Sequence, residues 1–468
     1  MQQRENWGSR LGFLLAAAGS AVGLGNIWRF PYLTGENGGS AFIVIYLICV
    51  FVIGLSVMIA ELTVGRRSGL AAVGAYKSYS RNWTFVGVIG VLSGFLIMGF
   101  YPVVGGWALA YIVKSITGLT NAPEAIGDVF GGFITNSVQP LIWMLIFLVV
   151  NVLIVAKGIA GGIEKAAKVL MPTLFLLLIF IGIRSVSLPG ADAGLSFLFS
   201  PDWSAVTGAT FLAALGQAFF SLSLGMGCMI TYGSYLNKKQ ILAKDAAIVT
   251  SLDTLCAILA GIAIFPALFA FGMTPDQGPG LVFVVVPSIF AAMGGGAGVF
   301  FSTLFFVALA VAALTSSVSL LEVVVAYLMD ERKMARKKAV SLAGGVMAIL
   351  CIMASLSLGV TSHITLLGVG AFDFFDILTD KIFLAIGGML LAVFAGWVYK
   401  KEDLKAELTN EGTVKFALFE VWYALIKYVI PVAIAVIAFM GVTSIAQKGL
   451  MFFGLAVIVV LAIFSRKL

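Results

Sequence analysis

Long apolar stretches recur along the whole chain, cut by charged residues and by clusters of Gly, Pro and Asn. Each is near the ~20 residues that a helix needs to cross a bilayer. None shows the strict alternation of a membrane β-barrel strand. The stretches predict an all-α membrane protein with spans near 11–36, 41–64, 85–116, 139–156, 163–184, 206–235, 241–271, 299–329, 338–358, 364–399, 416–443 and 448–465. The last is short for a full crossing, so about twelve spans are expected and eleven stay compatible with the pattern. Basic residues fall in alternate connections: Arg4 and Arg10 before the first span, Arg66, Arg67, Lys77 and Arg81 after the second, and Lys157, Lys165 and Lys168 after the fourth. Lys238, Lys239 and Lys244 follow the sixth, Arg332, Lys333, Arg336, Lys337 and Lys338 the eighth, and Lys400, Lys401 and Lys405 the tenth. Positive loops stay in the cytoplasm, which places both chain ends there and calls for an even number of spans in the cell membrane.

The first five spans cover 11–184 and the next five 206–399, leaving 416–465 as accessory helices. Five is odd, so the second unit would lie upside down relative to the first. In such inverted repeats the best sequence pointer to a binding site is a pair of Gly-interrupted segments at corresponding places. Here they are Gly19-Ser20-Ala21-Val22-Gly23-Leu24-Gly25-Asn26 and Phe220-Ser221-Leu222-Ser223-Leu224-Gly225-Met226-Gly227, each near the middle of the first span of its half.

Composition sharpens this picture. Hydrophobic residues make up 61% and charged residues 11%, with mean hydropathy +1.08. A soluble domain carries roughly a quarter charged residues, so the chain reads as one transmembrane domain over 1–468 with the lipid bilayer as its surroundings. The net charge of +7 is a topology signal at the span ends and gives no reason to expect a nucleic-acid partner. Cys49, Cys228, Cys256 and Cys351 lie far apart in apolar runs without metal-binding spacing, and His363 is the lone histidine, which excludes an HExxH zinc site. No nucleophile and base stand at a suitable spacing, so an enzyme is not expected.

Glycines in mid-span weaken a helix by about 1 kcal/mol each, and backbone groups released in hydrocarbon must find partners. Freed carbonyls suit Na⁺, and freed N–H groups at the next half-helix suit a carboxylate. Close helix packing is the alternative use of such glycines, but it does not call for two breaks at corresponding positions beside Asn26 and Ser221.

The run Trp7-Gly8-Ser9-Arg10-Leu11-Gly12, then Ala21 to Tyr32 and Glu36-Asn37-Gly38-Gly39, resembles the first span of the neurotransmitter:sodium symporter family, in its bacterial amino-acid transporter branch. The resemblance continues through Gln217-Ala218-Phe219-Phe220-Ser221-Leu222-Ser223 and Leu314-Thr315-Ser316-Ser317, so it covers essentially the whole chain. It implies a five-plus-five inverted-repeat core with broken first and sixth helices, and sodium symport of amino acids or their derivatives.

Carried over residue by residue, the resemblance implies two coupling Na⁺ ions. One would take the Ala21 carbonyl, Asn26, Ser221, Asp253 and the substrate carboxylate. The other would take the carbonyls of Gly19, Val22 and Ala312 and the hydroxyls of Thr315 and Ser316. Oxygen ligands suit this hard cation. It likewise puts Leu24, Gly25, Ile97, Tyr101, Phe220, Ser223, Met226, Ser316 and Leu320 around the substrate, with the Tyr101 hydroxyl on its carboxylate. That wall is apolar and partly aromatic, and Met226 is pliable. Gly23 stands where the monoamine carriers of the family have Asp, so a substrate bringing its own carboxylate is expected. Hydrophobic and aromatic L-amino acids follow, with an osmolyte or β-amino acid symporter, or a non-transporting sensor or channel, as the alternatives.

Asp253 stands where animal members have Asn, and a carboxylate there, near Tyr46, Gln217 and Ser221, is expected to replace chloride. For the gates, the resemblance pairs Arg29 with Asp376, or with Asp373, on the outer side and Arg4 with Asp330 on the inner side, Trp7 packing beneath the site. Glu61 is expected to bond the broken sixth helix, and Glu322 lies toward the cytoplasmic end of its span.

Overall fold

The computed structural model describes residues 5–121, 125–275 and 281–468. These are helical throughout, and among them only the isolated bridge between Leu366 and Val369 has β pairing. Nine helices among the described residues are long and apolar enough to cross a membrane, and the pair Arg10–Ala21 and Gly25–Glu36, bent by 47° at its break, adds one more, the first in chain order. Gly208–Ser221 with Cys228–Gly233 occupies the sixth place and Lys448–Ile463 the twelfth. The order of elements therefore reproduces the twelve expected segments. The sequence also forms short helices that it did not advertise as spans, among them Ala72–Tyr79 after the second crossing and Val285–Met293 after the seventh, the same place in each half. The tenth crossing begins at Ala371 rather than near 364, because Leu367 and Gly368 adopt left-handed backbone and turn the chain before it.

Local chemistry explains where the helices start and stop. Ser9 caps the first: its Oγ accepts from the Gly12 N–H at 3.0 Å and satisfies one of the free donors there. Gly69 ends the second crossing in left-handed conformation, with Arg66 and Arg67 in the last turn at the negative end of the helix dipole. The first, sixth and eighth crossings lie at the centre, where Phe13, Val22, Leu222 and Ala312 are fully buried. The helices Phe419–Thr443 and Lys448–Ile463 lie at the periphery and expose Val432, Phe439, Phe452 and Ile463, as a lipid-facing surface does.

Candidate ion and substrate site

The regular first helix stops at Ala21, because Val22 takes an extended backbone (φ −71°, ψ 109°). The chain resumes in a wide helical turn over Gly25–Arg29 and continues as Phe30–Glu36, with Pro31 at the start of the regular part. The sixth crossing stops at Ser221 and resumes at Cys228, with Ser223, Gly225 and Gly227 all at positive φ. Gly225 is required there: a Cβ would lie 2.5 Å from the Leu384 carbonyl. Ser223 carries the strain of φ 54° because its hydroxyl donates to the Ser20 carbonyl at 2.7 Å, tying one break to the other. Glu61 accepts from the Gly225 N–H at 2.8 Å, so a side chain of the second crossing supplies a partner for the opened backbone.

Asp253 sits where the breaks meet the seventh crossing. Its Oδ1 accepts from Asn26 Nδ2 at 2.7 Å, and Ser221 Oγ lies 2.9 Å from both carboxylate oxygens. Asn26 Oδ1 accepts from the Gly23 N–H at 3.0 Å, Tyr46 reaches Ser221 at 3.5 Å, and Gln217 Nε2 donates to the Gly25 carbonyl at 2.7 Å. Asn26, Gln217, Ser221 and Asp253 are all fully buried. No Lys or Arg among the described residues lies within ion-pair distance of Asp253, and Gln217 Oε1 has no hydrogen-bond partner. The oxygens of this cluster form a donor set suited to a hard monovalent cation, and the carboxylate supplies the charge for one.

A second oxygen cluster lies between the first and eighth crossings. Thr315 Oγ1 is 3.0 Å from the Ala312 carbonyl and 3.4 Å from that of Val22, and a Cβ at Gly19 would lie 3.1 Å from Thr315 Cβ. Ser316 turns the other way: its hydroxyl donates to the Ser20 carbonyl at 3.0 Å, and the residue faces the cavity beside this cluster. Gly19, Val22, Ala312 and Thr315 are thus brought together, with Ser316 on the adjoining wall.

Ala21, Gly23, Gly25, Ile97, Tyr101, Phe220, Ser223, Met226, Ser316 and Leu320 line one small cavity between the breaks. Leu24 contributes backbone, its N–H donating to the Tyr101 hydroxyl at 3.0 Å. The polar atoms gather at the breaks, and Ile97, Phe220, Met226 and Leu320 form the apolar remainder. Such a cavity holds a molecule with a polar head and an apolar side chain.

On the outer side the structure corrects one expected pairing. Arg29 joins Asp380 at 2.9 Å rather than Asp376 or Asp373, and its guanidinium lies 4.8 Å from the centre of the Phe220 ring. A wide turn over Leu378–Phe383 brings Asp380 to this position, one turn beyond Asp376. An acid inside a span is itself a functional signal, and by that rule Asp380 was visible in the sequence. On the inner side Arg4 lies outside the described residues. Asp330 accepts from the Ala71 N–H at 2.8 Å. Closure beneath the cavity comes from a pairing the sequence did not indicate, although it marked Glu322 at the cytoplasmic end of its span. Arg336 bonds both Glu322 oxygens at 2.7 and 3.0 Å and Glu5 at 2.8 Å, and Tyr235 donates to Glu322 at 2.7 Å. Trp7 is buried and its Nε1 donates to the Tyr232 carbonyl at 3.0 Å, capping the second half of the sixth crossing.

Comparisons with known proteins agree with this architecture. Over 448 residues the chain is 40% identical to an uncharacterized sodium-dependent transporter of Bacillus subtilis, covering 93% of this chain and 97% of the relative. It is 28% identical over 480 residues to the sodium-dependent serotonin transporter of Drosophila melanogaster, covering 92% of this chain and 75% of that one. The crystal structure of MhsT in complex with L-phenylalanine matches with a TM-score of 0.86 and 47% identity, covering 94% of this chain and all of the other. With two broken helices at corresponding places in an inverted-repeat core, and a model of the Sodium:neurotransmitter symporter family matching residues 4–123 and 133–463, the chain belongs to that family of sodium-coupled membrane transporters, which are not enzymes.

Proposed function

We propose that the protein carries hydrophobic and aromatic L-amino acids across the cell membrane together with two Na⁺ ions, without chloride, by alternating access. One domain over 1–468 does this, its repeats at 11–184 and 206–399, helices 416–465 accessory and both chain ends cytoplasmic. The observation that carries the reading is the buried Asp253 carboxylate, bonded to Asn26 and Ser221 and unpaired with any described basic side chain, beside a cavity walled by two helix breaks. A carboxylate in such a place calls for a cation, and Na⁺ is the co-transported ion that the donor atoms suit.

In this reading one ion takes the Ala21 carbonyl with Asn26, Ser221 and Asp253, and the other the carbonyls of Gly19, Val22 and Ala312 with Thr315 and, once its hydroxyl leaves the Ser20 carbonyl, Ser316. The amino-acid carboxylate faces the Tyr101 hydroxyl and the Leu24 and Gly25 N–H groups, and completes the first ion's shell, which couples the two cargoes. Gly23 leaves no anion in the wall to compete with that carboxylate. Ile97, Phe220, Met226 and Leu320 receive the side chain. The L-phenylalanine in the MhsT complex, at 47% identity, supports this side-chain class. The Arg29–Asp380 pair above the cavity and the Glu5–Arg336–Glu322 cluster below it are both formed, which supports a closed intermediate between the two open forms. A twenty-amino-acid binding panel on purified protein in sodium, lithium or potassium tests the reading. Saturable binding of Phe, Leu or Ile in sodium alone is expected. Binding that is indifferent to the cation, or confined to β-amino acids or betaine-like osmolytes, overturns it.

A further inference from the structure

The tenth crossing carries Asp373, Asp376 and Asp380 at positions i, i+3 and i+7, a spacing that places all three on one helix face. Arg29 pairs with the last of them, and Lys381 holds the second oxygen of Asp380 at 3.2 Å. Asp376 forms no ion pair with a described residue, although it lies within the electrostatic reach of Arg29. Asp376 belongs to the regular helix Ala371–Ile377 and Asp380 to the wide turn Leu378–Phe383 that follows. Arg29 itself closes the wide turn Gly25–Arg29. A wide turn holds one residue more than an α-turn, and such turns recur at functional sites. Both members of the observed pair thus stand on wide turns, while Asp376 stands on regular helix one turn away.

From this juxtaposition we infer that Arg29 has two alternating carboxylate partners one helical turn apart: Asp380, which holds the outer side closed, and Asp376, which receives the guanidinium as that side opens. Packed elements are bistable and step by whole turns. A second carboxylate one turn away lets the guanidinium change partner without standing uncompensated in a low-dielectric place, so the opening barrier stays low. With Arg29 on Asp380 the guanidinium covers Phe220, a wall of the cavity, and a step to Asp376 moves it toward the start of the tenth crossing, the end that the charge pattern places outside. Asp380 is on this account a positioning residue of the transport cycle. The inference uses the proposed direction of the chain but not the proposed substrate.

The test measures, by spin-label distances between the outer ends of the first and tenth crossings, the share of full-length protein that is open outward in potassium, with no amino acid present. Asp380→Asn is expected to raise that share by at least roughly two- to fivefold, the size of an exposed ion pair, since this one is only 16% exposed on either side. Arg29→Ala raises it less, because it also removes the Asp376 pairing of the open form, and Asp376→Asn/Asp380→Asn matches Arg29→Ala. Asp380→Glu, which keeps the charge, stays near native and guards against a folding defect in the amide variant. The inference is overturned if Asp380→Asn leaves the distribution native while Asp376→Asn alone reproduces Arg29→Ala. It is equally overturned if Asp380→Asn alone equals Arg29→Ala, for then no second partner exists. These distances do not depend on which amino acid the protein carries, so a failed substrate panel would leave the result readable.

Discussion

Asn26 Nδ2 lies 2.7 Å from Asp253 Oδ1, a hydrogen bond that joins the opened stretch of the first crossing to the middle of the seventh, with both side chains sealed from solvent. The same amide donates to the Asp253 carbonyl at 3.0 Å, and its oxygen takes the Gly23 N–H. One side chain thereby fixes where the first break turns and which way the carboxylate faces.

The charge on Asp253, more than its shape, should bind the ion. Asp253→Asn keeps the size and most of the hydrogen bonding but leaves the cation without its counter-charge. Losing one partner of a desolvated charge pair costs about 2–5 kcal/mol, so sodium affinity should fall at least about tenfold. Radiolabelled sodium binding to purified protein measures it. Native affinity in the variant would mean that the carboxylate serves the fold alone.

The same carboxylate is expected to make an external anion superfluous. Uptake of phenylalanine into proteoliposomes under a sodium gradient is expected to stay at its native rate when gluconate replaces chloride throughout. A fall on replacement, restored by chloride, would show that Asp253 does not balance the charge of the ions.

Gly23 is a steric as well as an electrostatic position. A Cβ there would stand 2.6 Å from the Tyr101 hydroxyl and 2.8 Å from Ser316 Cβ, both inside normal contact. Overpacking of this kind costs about 1–3 kcal/mol, so Gly23→Ala should weaken substrate binding by about five- to a hundredfold, and Gly23→Asp more. Gly216, in the first half of the sixth crossing, has nothing within 4 Å of its Cβ position, and Gly216→Ala should bind as native. Equal effects at the two glycines would show that general helix stiffening, and not the cavity, is being read.

How much of this was written in the chain depends on the range of the interaction concerned. Twelve apolar segments and both breaks were legible because hydropathy and mid-span glycine are local signals; even the doubtful 448–465 segment forms a helix at Lys448–Ile463. Which acids Arg29 and Arg336 would pair with was not legible, although Asp380 and Glu322 stood out as acids inside spans. Which of Asp373, Asp376 and Asp380 meets Arg29 depends on the wide turn at Leu378–Phe383, and the sequence Leu-Thr-Asp-Lys-Ile-Phe carries no mark of such a turn. Arg336 read as one of five basic residues marking the cytoplasmic side, yet it crosses to Glu5 and Glu322, contacts that only the packing of the eighth and ninth crossings against the N-terminal segment creates. Arg66 was hidden for the same reason.

Arg66 and Lys401 offer a comparison in which the distance is held fixed and burial is not. Arg66 Nε meets Glu407 at 2.6 Å with both side chains 1% exposed, and Lys401 meets Glu420 at the same 2.6 Å with 38% and 64% exposed. Arg66 also donates to the carbonyls of Gln240 and Glu407 and to Asn410 Oδ1, so the end of the second crossing, the connection after the sixth and the helix Lys401–Leu408 share one guanidinium. A lysine has no planar fork with which to reach these acceptors together. Arg66→Met should therefore lower stability by about 3–5 kcal/mol, since it leaves Glu407 buried with only Lys238, itself 64% exposed, as its counter-charge. Arg66→Lys should recover part of that loss. Arg66→Met/Glu407→Leu should recover most of it, because no charge is then stranded. Lys401→Ala should leave the unfolding midpoint unchanged, as exposed pairs contribute little. Thermal unfolding in detergent at fixed sodium separates these cases. If Arg66→Met melts with Lys401→Ala, the buried cluster does not hold the cytoplasmic end of the second crossing in place.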